Sequence, residues 1–158
     1  MRNLIFSFVF IIFWAFSVSA QAEGARKIDD VETYFCDDLK ARVHNFITEI
    51  NYEKDSKGYV IVYEGKIKKY NRGGMTFTYV LPRKGEANSR VELIKQHFKF
   101  LAYPPEDIVF INGGFRENLT VEFWLVPKNA EPPEPTPTLK NIKHQKRKAP
   151  KKPQMGDC

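Results

Sequence analysis

The side chains that most often carry out chemistry are few in this sequence and widely spaced. Three histidines are present, and none has a nucleophile or an orienting carboxylate near it at the spacing that a general base requires. Neither cysteine has a second cysteine or a histidine at the spacing of a zinc site. No phosphate-binding glycine loop or nucleophile elbow occurs. The sequence therefore predicts no catalytic residue, no metal ligand and no cofactor.

Basic residues form the one constellation with a physical logic. The segment Gly65 to Gly85 contains six basic residues and no acidic one, whereas Gln21 to Pro127 as a whole carries sixteen of each sign. A positive patch in a neutral domain suits an anionic ligand, and a helix N-terminus beside an arginine favours the same ligand. The sequence predicts a carboxylate or phosphate site formed by Lys66, Arg72, Ser89, Arg90 and Arg116. The alternative is a solvated basic hairpin that binds nothing.

The two cysteines leave their pairing open. Cys36 and Cys158 are the only thiols, and in an oxidising compartment two cysteines permit one bridge. A bridge between them would tie the end of the chain back to the domain. An intermolecular bridge and two free thiols are equally compatible with the sequence.

The first twenty residues have the order of a secretory signal peptide. Arg2 is followed by an apolar run from Leu4 to Phe16 and then by the small residues Ser17 to Ala20. The run is shorter than the roughly 20 residues that a membrane-spanning helix needs. We therefore expect a periplasmic or secreted protein whose mature part has no transmembrane segment.

The rest of the chain divides into one small domain and a tail. Residues 21–127 are enough for a single modest core. Residues 128–158 are rich in proline and carry eight basic and three acidic residues, so we expect a disordered basic tail. Nucleic-acid binding by this tail is disfavoured by the export signal and by the lack of interleaved aromatic residues.

Apolar spacing predicts two helices. From Asp37 onward Leu39, Val43, Phe46 and Ile50 lie on one helical face. A second helix is predicted to begin at Ser89, because Ser89 and Glu92 have capping-box spacing, and to end before Pro104.

Strand patterns lie before and after the second helix. A buried strand is predicted at Tyr59 to Tyr63, and a hairpin is predicted from Ile108 to Ile111 and from Thr120 to Val126, with its turn at Asn112 to Gly114. Residues 31–35 can add a short leading strand. Residues 65–85 are predicted to form a hairpin arm that extends the first strand, with a long surface loop as the alternative.

These elements predict an α/β (α+β) fold. A strand, a helix and a strand in succession imply a right-handed parallel crossover, and the hairpin adds an antiparallel neighbour. The expected architecture is a small mixed β-sheet with both helices packed on one face, followed by the disordered C-terminal tail.

Two short segments carry a resemblance to known proteins. Together with the order of elements, Arg90-Val91-Glu92-Leu93-Ile94 and Pro105-Glu106-Asp107-Ile108-Val109 resemble the peptidoglycan-associated OmpA-like domain over residues 31–127. In that family an Asp after the first core strand and an Arg on the following helix grip the diaminopimelate of the peptide stem. Arg90 corresponds to that Arg, whereas Lys66 stands about where the Asp is expected.

A second resemblance is to small exported bacterial proteins of uncharacterised function. It is carried by Gly58 to Tyr63, by Gly113 to Glu117 and by Thr120 to Pro127 with the Pro-Thr-rich tail after it, and it implies no activity. The expected function is an exported, non-enzymatic binding module of the cell envelope, for peptidoglycan or another anionic envelope polymer. The alternative is a small envelope hydrolase or amidase.

Overall fold

The computed structural model of the chain describes residues 24–32, 36–71 and 76–146. The predicted signal segment and Arg72 lie outside the described residues, as do both thiols of the predicted Cys36–Cys158 bridge. The elements, in chain order, are β1 (Arg26–Val31), α1 (Cys36–Tyr52), β2 (Ser56–Tyr70), β3 (Phe77–Val80), α2 (Glu86–Phe100), a 3₁₀ turn (Pro105–Asp107), β4 (Ile108–Asn118) and β5 (Thr120–Pro127).

The predicted core strand is the centre of a five-stranded mixed sheet. Its β-branched and aromatic residues favour extended backbone, and β2 runs well beyond the predicted Tyr59 to Tyr63. One edge of β2 pairs antiparallel with β5, which in turn pairs with β1. The other edge pairs parallel with β4, so that Val60 lies between Phe123 of β5 and Phe110 of β4. The predicted parallel pairing across α2 is confirmed.

Both helices pack on one face of this sheet, as predicted. Alternate residues of β2 and β5 meet the apolar faces of α1 and α2. The residues buried in this core include Val43, Phe46, Val60, Val62, Ile94, Phe98, Val121, Phe123 and Leu125. Fully burying one such side chain contributes about 1.5–3 kcal/mol, so this layer supplies most of the hydrophobic stabilisation.

The segment 65–85 contains the predicted hairpin arm, formed by the end of β2 and by β3. Ile67 to Tyr70 of β2 pair antiparallel with Phe77 to Val80 of β3. Asn71 and Thr76 are joined by a backbone hydrogen bond of 2.9 Å and a side-chain hydrogen bond of 2.7 Å. We call the paired residues 67–70 and 77–80 the arm.

The predicted hairpin between β4 and β5 is wrong. Both strands pair with β2, on opposite edges, and Tyr63 lies between Gly114 and Thr120. Since Leu119 alone joins the two strands, the chain must cross β2. It crosses at Gly65, where a Cβ atom would lie 2.1 Å from the backbone carbonyl carbon of Asn118. Glycine is therefore required at this position.

The predicted turn at Asn112 to Gly114 is a bulge inside β4. The register with β2 shifts after the pair of Val62 and Asn112, and Gly114 adopts a φ of +79°. The side chain of Asn112 accepts a 2.9 Å hydrogen bond from the N–H of Gly114. Local turn chemistry is present, but it bends one strand and does not reverse the chain.

The second helix begins one turn before its predicted start. Gly85 precedes α2 with a φ of +81° and no side-chain cap. Ser89 lies inside the helix, and its hydroxyl donates a 3.3 Å hydrogen bond to the carbonyl of Gly85. The capping-box prediction is therefore wrong, because the helix is started by the chain reversal at Gly85.

Residues 128–146 of the predicted tail are described by the structure and contain no helix or strand. We call residues 131–146 the strap, because they lie across the domain on the side of the sheet opposite the helices and then around β4. The N–H groups of Thr138 and Leu139 donate to Phe115 of β4, and the N–H of Gln145 donates to Pro82. Proline-rich chain loses little entropy on ordering, and these hydrogen bonds hold it. Residues 147–158 lie outside the described residues.

Within the described residues, we find no helix with the length and apolar character needed to cross a membrane.

Candidate functional site

One face of the arm carries three aromatic rings around a lysine. Lys68, Tyr70, Phe77 and Tyr79 share this face, because cross-strand partners and every second residue point the same way. The ammonium of Lys68 lies 4.2 Å from the centre of the Phe77 ring and 5.6 Å from that of Tyr70. The rings of Phe77 and Tyr79 meet edge to face at 5.6 Å. The arm thus presents a defined aromatic and cationic surface, which we call the arm face.

The arm face is open to solvent. The exposed fractions of Phe77 and Tyr79 are 48% and 41%, although apolar rings gain by burial. The opposite face of the arm is closed in part, because Ile67 is buried there. Clustered exposed aromatic residues on a folded protein commonly mark a contact surface. Exposure of these two rings forgoes the stabilisation that their burial would give, and folding alone does not explain that loss.

A second polar cluster lies on the strap side of the sheet. The carboxylate of Glu122, only 3% exposed, accepts hydrogen bonds from the indole of Trp124 at 3.0 Å and the hydroxyl of Tyr63 at 3.2 Å. It also pairs with Arg116 at 3.0 Å and Lys27 at 3.4 Å. We call these five residues the Glu122 cluster.

The environment of Glu122 keeps it ionised. Burial would raise its pKa, but hydrogen bonds from Trp124 and Arg116 and the charges of Arg116 and Lys27 outweigh burial and lower the pKa from its usual value of 4.5. A buried carboxylate with a lowered pKa is suited to holding cations in place and unsuited to donating a proton. The Glu122 carboxylate therefore holds the side chains of the other four cluster residues in place.

The predicted anion-site residues have partners within the chain. Arg116 pairs with Glu122, and its guanidinium lies 3.5 Å from the centre of the Tyr63 ring. Lys66 pairs with Glu117 at 3.3 Å on the surface. Arg90 is buried on α2 and lies 3.9 Å from Glu86.

The N-terminus of α2, predicted to attract an anion, meets an anion from the chain itself. The carboxylate of Glu64 on β2 lies 3.4 Å from the N–H of Ala87, in the first turn of the helix. A negative charge there is stabilised by the unpaired N–H groups and by the helix dipole. The same carboxylate contacts the imidazole of His144 in the strap. The attraction of this helix end for anions is thus satisfied internally.

Neither the remaining histidines nor the acidic residues point to a metal site. His97 lies partly buried, and burial together with the charge of Lys40 lowers its pKa, which favours the neutral imidazole. Among residues 24–32, 36–71 and 76–146, no group of three His, Cys, Asp or Glu side chains could hold a metal ion.

Sequence reasoning located the arm but missed what its face presents. The alternation of Phe77 and Tyr79 with threonines was visible, and so was Lys68 among the six basic residues. Their convergence depends on the register that pairs Lys68 with Tyr79 and Tyr70 with Phe77. A one-residue slip would have moved the rings to the other face of the arm.

No protein-family model, curated protein or solved structure matches this chain. The resemblance to the OmpA-like domain stays a prediction.

Proposed function

We propose that the protein is an exported, non-enzymatic binding module of the cell envelope, and that its arm face binds an anionic envelope polymer, with peptidoglycan as the preferred candidate. The observation that carries the proposal is the exposed cluster of Phe77 and Tyr79 beside the ring-bound ammonium of Lys68. The signal peptide that the sequence predicts at residues 1–20 supports an envelope location.

The chemistry of the arm face suits a glycan with acidic groups. Aromatic rings pack against the apolar faces of sugar rings, and the hydroxyl of Tyr79 adds a polar group that can hydrogen-bond. The ammonium of Lys68, held over Phe77, can meet a carboxylate or phosphate without first being ordered. Because no acidic residue occurs between Gly65 and Gly85, an approaching anion meets no repulsion from this segment.

The strap brings further positive charge to the base of the arm. The side chain of Gln145 donates a 2.6 Å hydrogen bond to the carbonyl of Leu81, which follows β3. Lys143 and Lys146 stand on either side of Gln145 in the chain. Arm and strap therefore form one basic region, which accommodates a polymer better than a single small ion.

The experiment is a pull-down with isolated peptidoglycan, and in parallel with lipopolysaccharide, using the chain from Gln21 to Cys158. Replacing Phe77 and Tyr79 by serine should weaken retention about tenfold, since two ring contacts are lost. The matched control replaces Tyr52 and Phe100, which are 88% and 68% exposed and lie outside the arm. That control variant should bind like the wild type.

Salt provides the second readout of the same experiment. Binding through exposed lysines should weaken as sodium chloride rises from 0.05 to 0.5 M, because the Debye length falls from about 14 to about 4 Å over that range. Retention that is insensitive to salt, or equal loss in the arm and control variants, would contradict the proposal. Release of soluble fragments from the peptidoglycan would instead support the hydrolase or amidase alternative.

A further inference from the structure

One threonine of the strap makes three hydrogen bonds to the domain, beside the contacts that Thr138, Leu139, His144 and Gln145 make. The guanidinium of Arg116 donates to the side-chain oxygen of Thr136 at 2.6 Å and to its carbonyl at 3.2 Å. The N–H of Thr136 donates in turn to the hydroxyl of Tyr63 at 3.1 Å. Three hydrogen bonds thus converge on one residue, and two of them use only its backbone.

The receiving side of this contact is built by the domain. Arg116 is fixed by its ion pair with Glu122 and by the face of the Tyr63 ring. The hydroxyl of Tyr63 is directed by its hydrogen bond to the same carboxylate. Donors and acceptor are therefore in place before a peptide arrives, which lowers the entropy lost on binding.

The strap lies on this surface without sinking into it. Of residues 131–141 only Pro133 is buried, and Thr136 itself is exposed. Next along the chain, Pro137 rests against Gly114, where a Cβ atom would approach it to 3.2 Å. Beyond Pro137, the N–H groups of Thr138 and Leu139 reach Phe115 on the edge of β4. Because residues 131–141 bury so little of their own surface, hydrogen bonds hold this part of the strap, and a competing segment that makes the same bonds can displace it.

We propose that the surface formed by Arg116, Tyr63 and the Gly114 bulge is a binding site for an extended peptide with threonine between two prolines, and that it receives such a segment from a partner protein. The chain's own Pro135-Thr136-Pro137 occupies the site in the absence of the partner. Proline fixes the extended backbone in advance, and the site reads that backbone together with one hydroxyl. This site is separate from the arm face, so the proposal does not depend on the proposed function.

The test introduces Thr136→Ala separately into the protein and into a synthetic peptide, and the two substitutions are expected to have opposite effects on binding. A fluorescent synthetic peptide of residues 131–146 is titrated into the chain from Gln21 to Cys158, and binding is followed by anisotropy. Thr136→Ala in the protein weakens its own strap and should raise the affinity for the peptide about tenfold, the effect of one hydrogen bond to a charged group. Thr136→Ala in the peptide should lower the affinity by a similar factor, and Thr136→Ser in the peptide should restore it.

Thr138→Ala in the protein is the matched control, because Thr138 meets the sheet through its backbone N–H. It should leave peptide affinity unchanged. Absence of saturable binding to the Thr136→Ala protein, or equal binding of the wild-type and Thr136→Ala peptides, would overturn the proposal. The oligomeric state is measured by size-exclusion chromatography across protein concentrations. A dimer would overturn the proposal and would indicate that two copies exchange their straps.

Discussion

At the scale of single residues, the Glu122 cluster shows how a charge is kept inside a small domain. A buried carboxylate is costly unless its lone pairs are filled, and Glu122 receives donors from four strands, β1, β2, β4 and its own β5. Removing the acid would leave Arg116 without its counter-ion and Lys27 with the exposed Asp30 at 3.0 Å alone. The removal of Glu122 is therefore expected to cost more stability than its ion pairs contribute on balance.

Glu122→Gln should lower the free energy of unfolding by about 3 kcal/mol at pH 7, because the substitution leaves the largely buried Arg116 without its counter-ion. Urea unfolding followed by the fluorescence of Trp124 measures the loss. Glu117→Gln is the control, since Glu117 is 75% exposed beside Lys66 and should change stability by less than about 0.5 kcal/mol.

The pH dependence of the Glu122 contribution has a defined sign. Its pKa in the folded protein lies below the usual 4.5, so its stabilisation is complete above that pH and is lost as the pH falls through the folded value. The difference in stability between wild type and Glu122→Gln should therefore shrink below pH 4.5. A difference that stays constant down to pH 2.5 would show that charge is not its cause.

The Glu122 cluster also shows where reading the sequence fails for single residues. Arg116 was identified as a ligand for an external anion, and its partner is an anion of the chain itself. Glu122 lies in an apolar strand and was not identified, because both faces of β5 are covered and no alternation marks its side. The pairing of Arg116 with Glu122 depends on how β4 and β5 are placed relative to each other, which the sequence pattern does not show.

At the scale of elements, the most constrained point of the fold is the crossing of β2 by the chain. β4 and β5 lie on opposite edges of β2, and the backbone of Asn118 and Leu119 passes directly over Gly65. The N–H of Leu119 donates to the carbonyl of Lys66 at 2.8 Å. A side chain at position 65 would push these two backbone segments apart.

Gly65→Ala should therefore destabilise the domain by at least about 3 kcal/mol, and it can prevent folding, since a domain of this size has only about 5–15 kcal/mol in total. Gly24→Ala is the control, because nothing lies within 4 Å of the Cβ atom that it would add. Thermal unfolding by circular dichroism compares the two. A Gly65→Ala protein that melts with the wild type would refute the crossing.

The sequence predicts helices and strands that have a local residue pattern, but it predicts less well which strands pair with each other. The apolar spacing of α1 and the alternation in β3 identified a helix and an arm that the structure confirms. Asn112 to Gly114 carries the chemistry of a turn, which serves a bulge equally well. Whether two strands pair with each other or with a third depends on contacts distant in sequence, and local residue types do not encode it.

At the scale of the whole molecule, the strap connects the side of the sheet opposite the helices to the base of the arm. The hydroxyl of the buried Tyr63 accepts a 3.1 Å hydrogen bond from Thr136 of the strap. Composition alone predicted disorder after Pro127, because that segment is rich in proline and charge. The hydrogen bonds to Arg116, Phe115 and Pro82 that order it are long-range and leave no trace in the composition of the tail.

The end of the strap lies beside the arm at Leu81 and Pro82, and we propose that a polymer bound to the arm face also contacts the end of the strap. The most direct measurement is an NMR titration of the isotopically labelled chain with soluble peptidoglycan fragments. We predict resonance shifts concentrated at Lys68, Phe77 and Tyr79 and extending to Gln145. Shifts confined to the helices, or no shifts at fragment concentrations of several millimolar, would contradict the account.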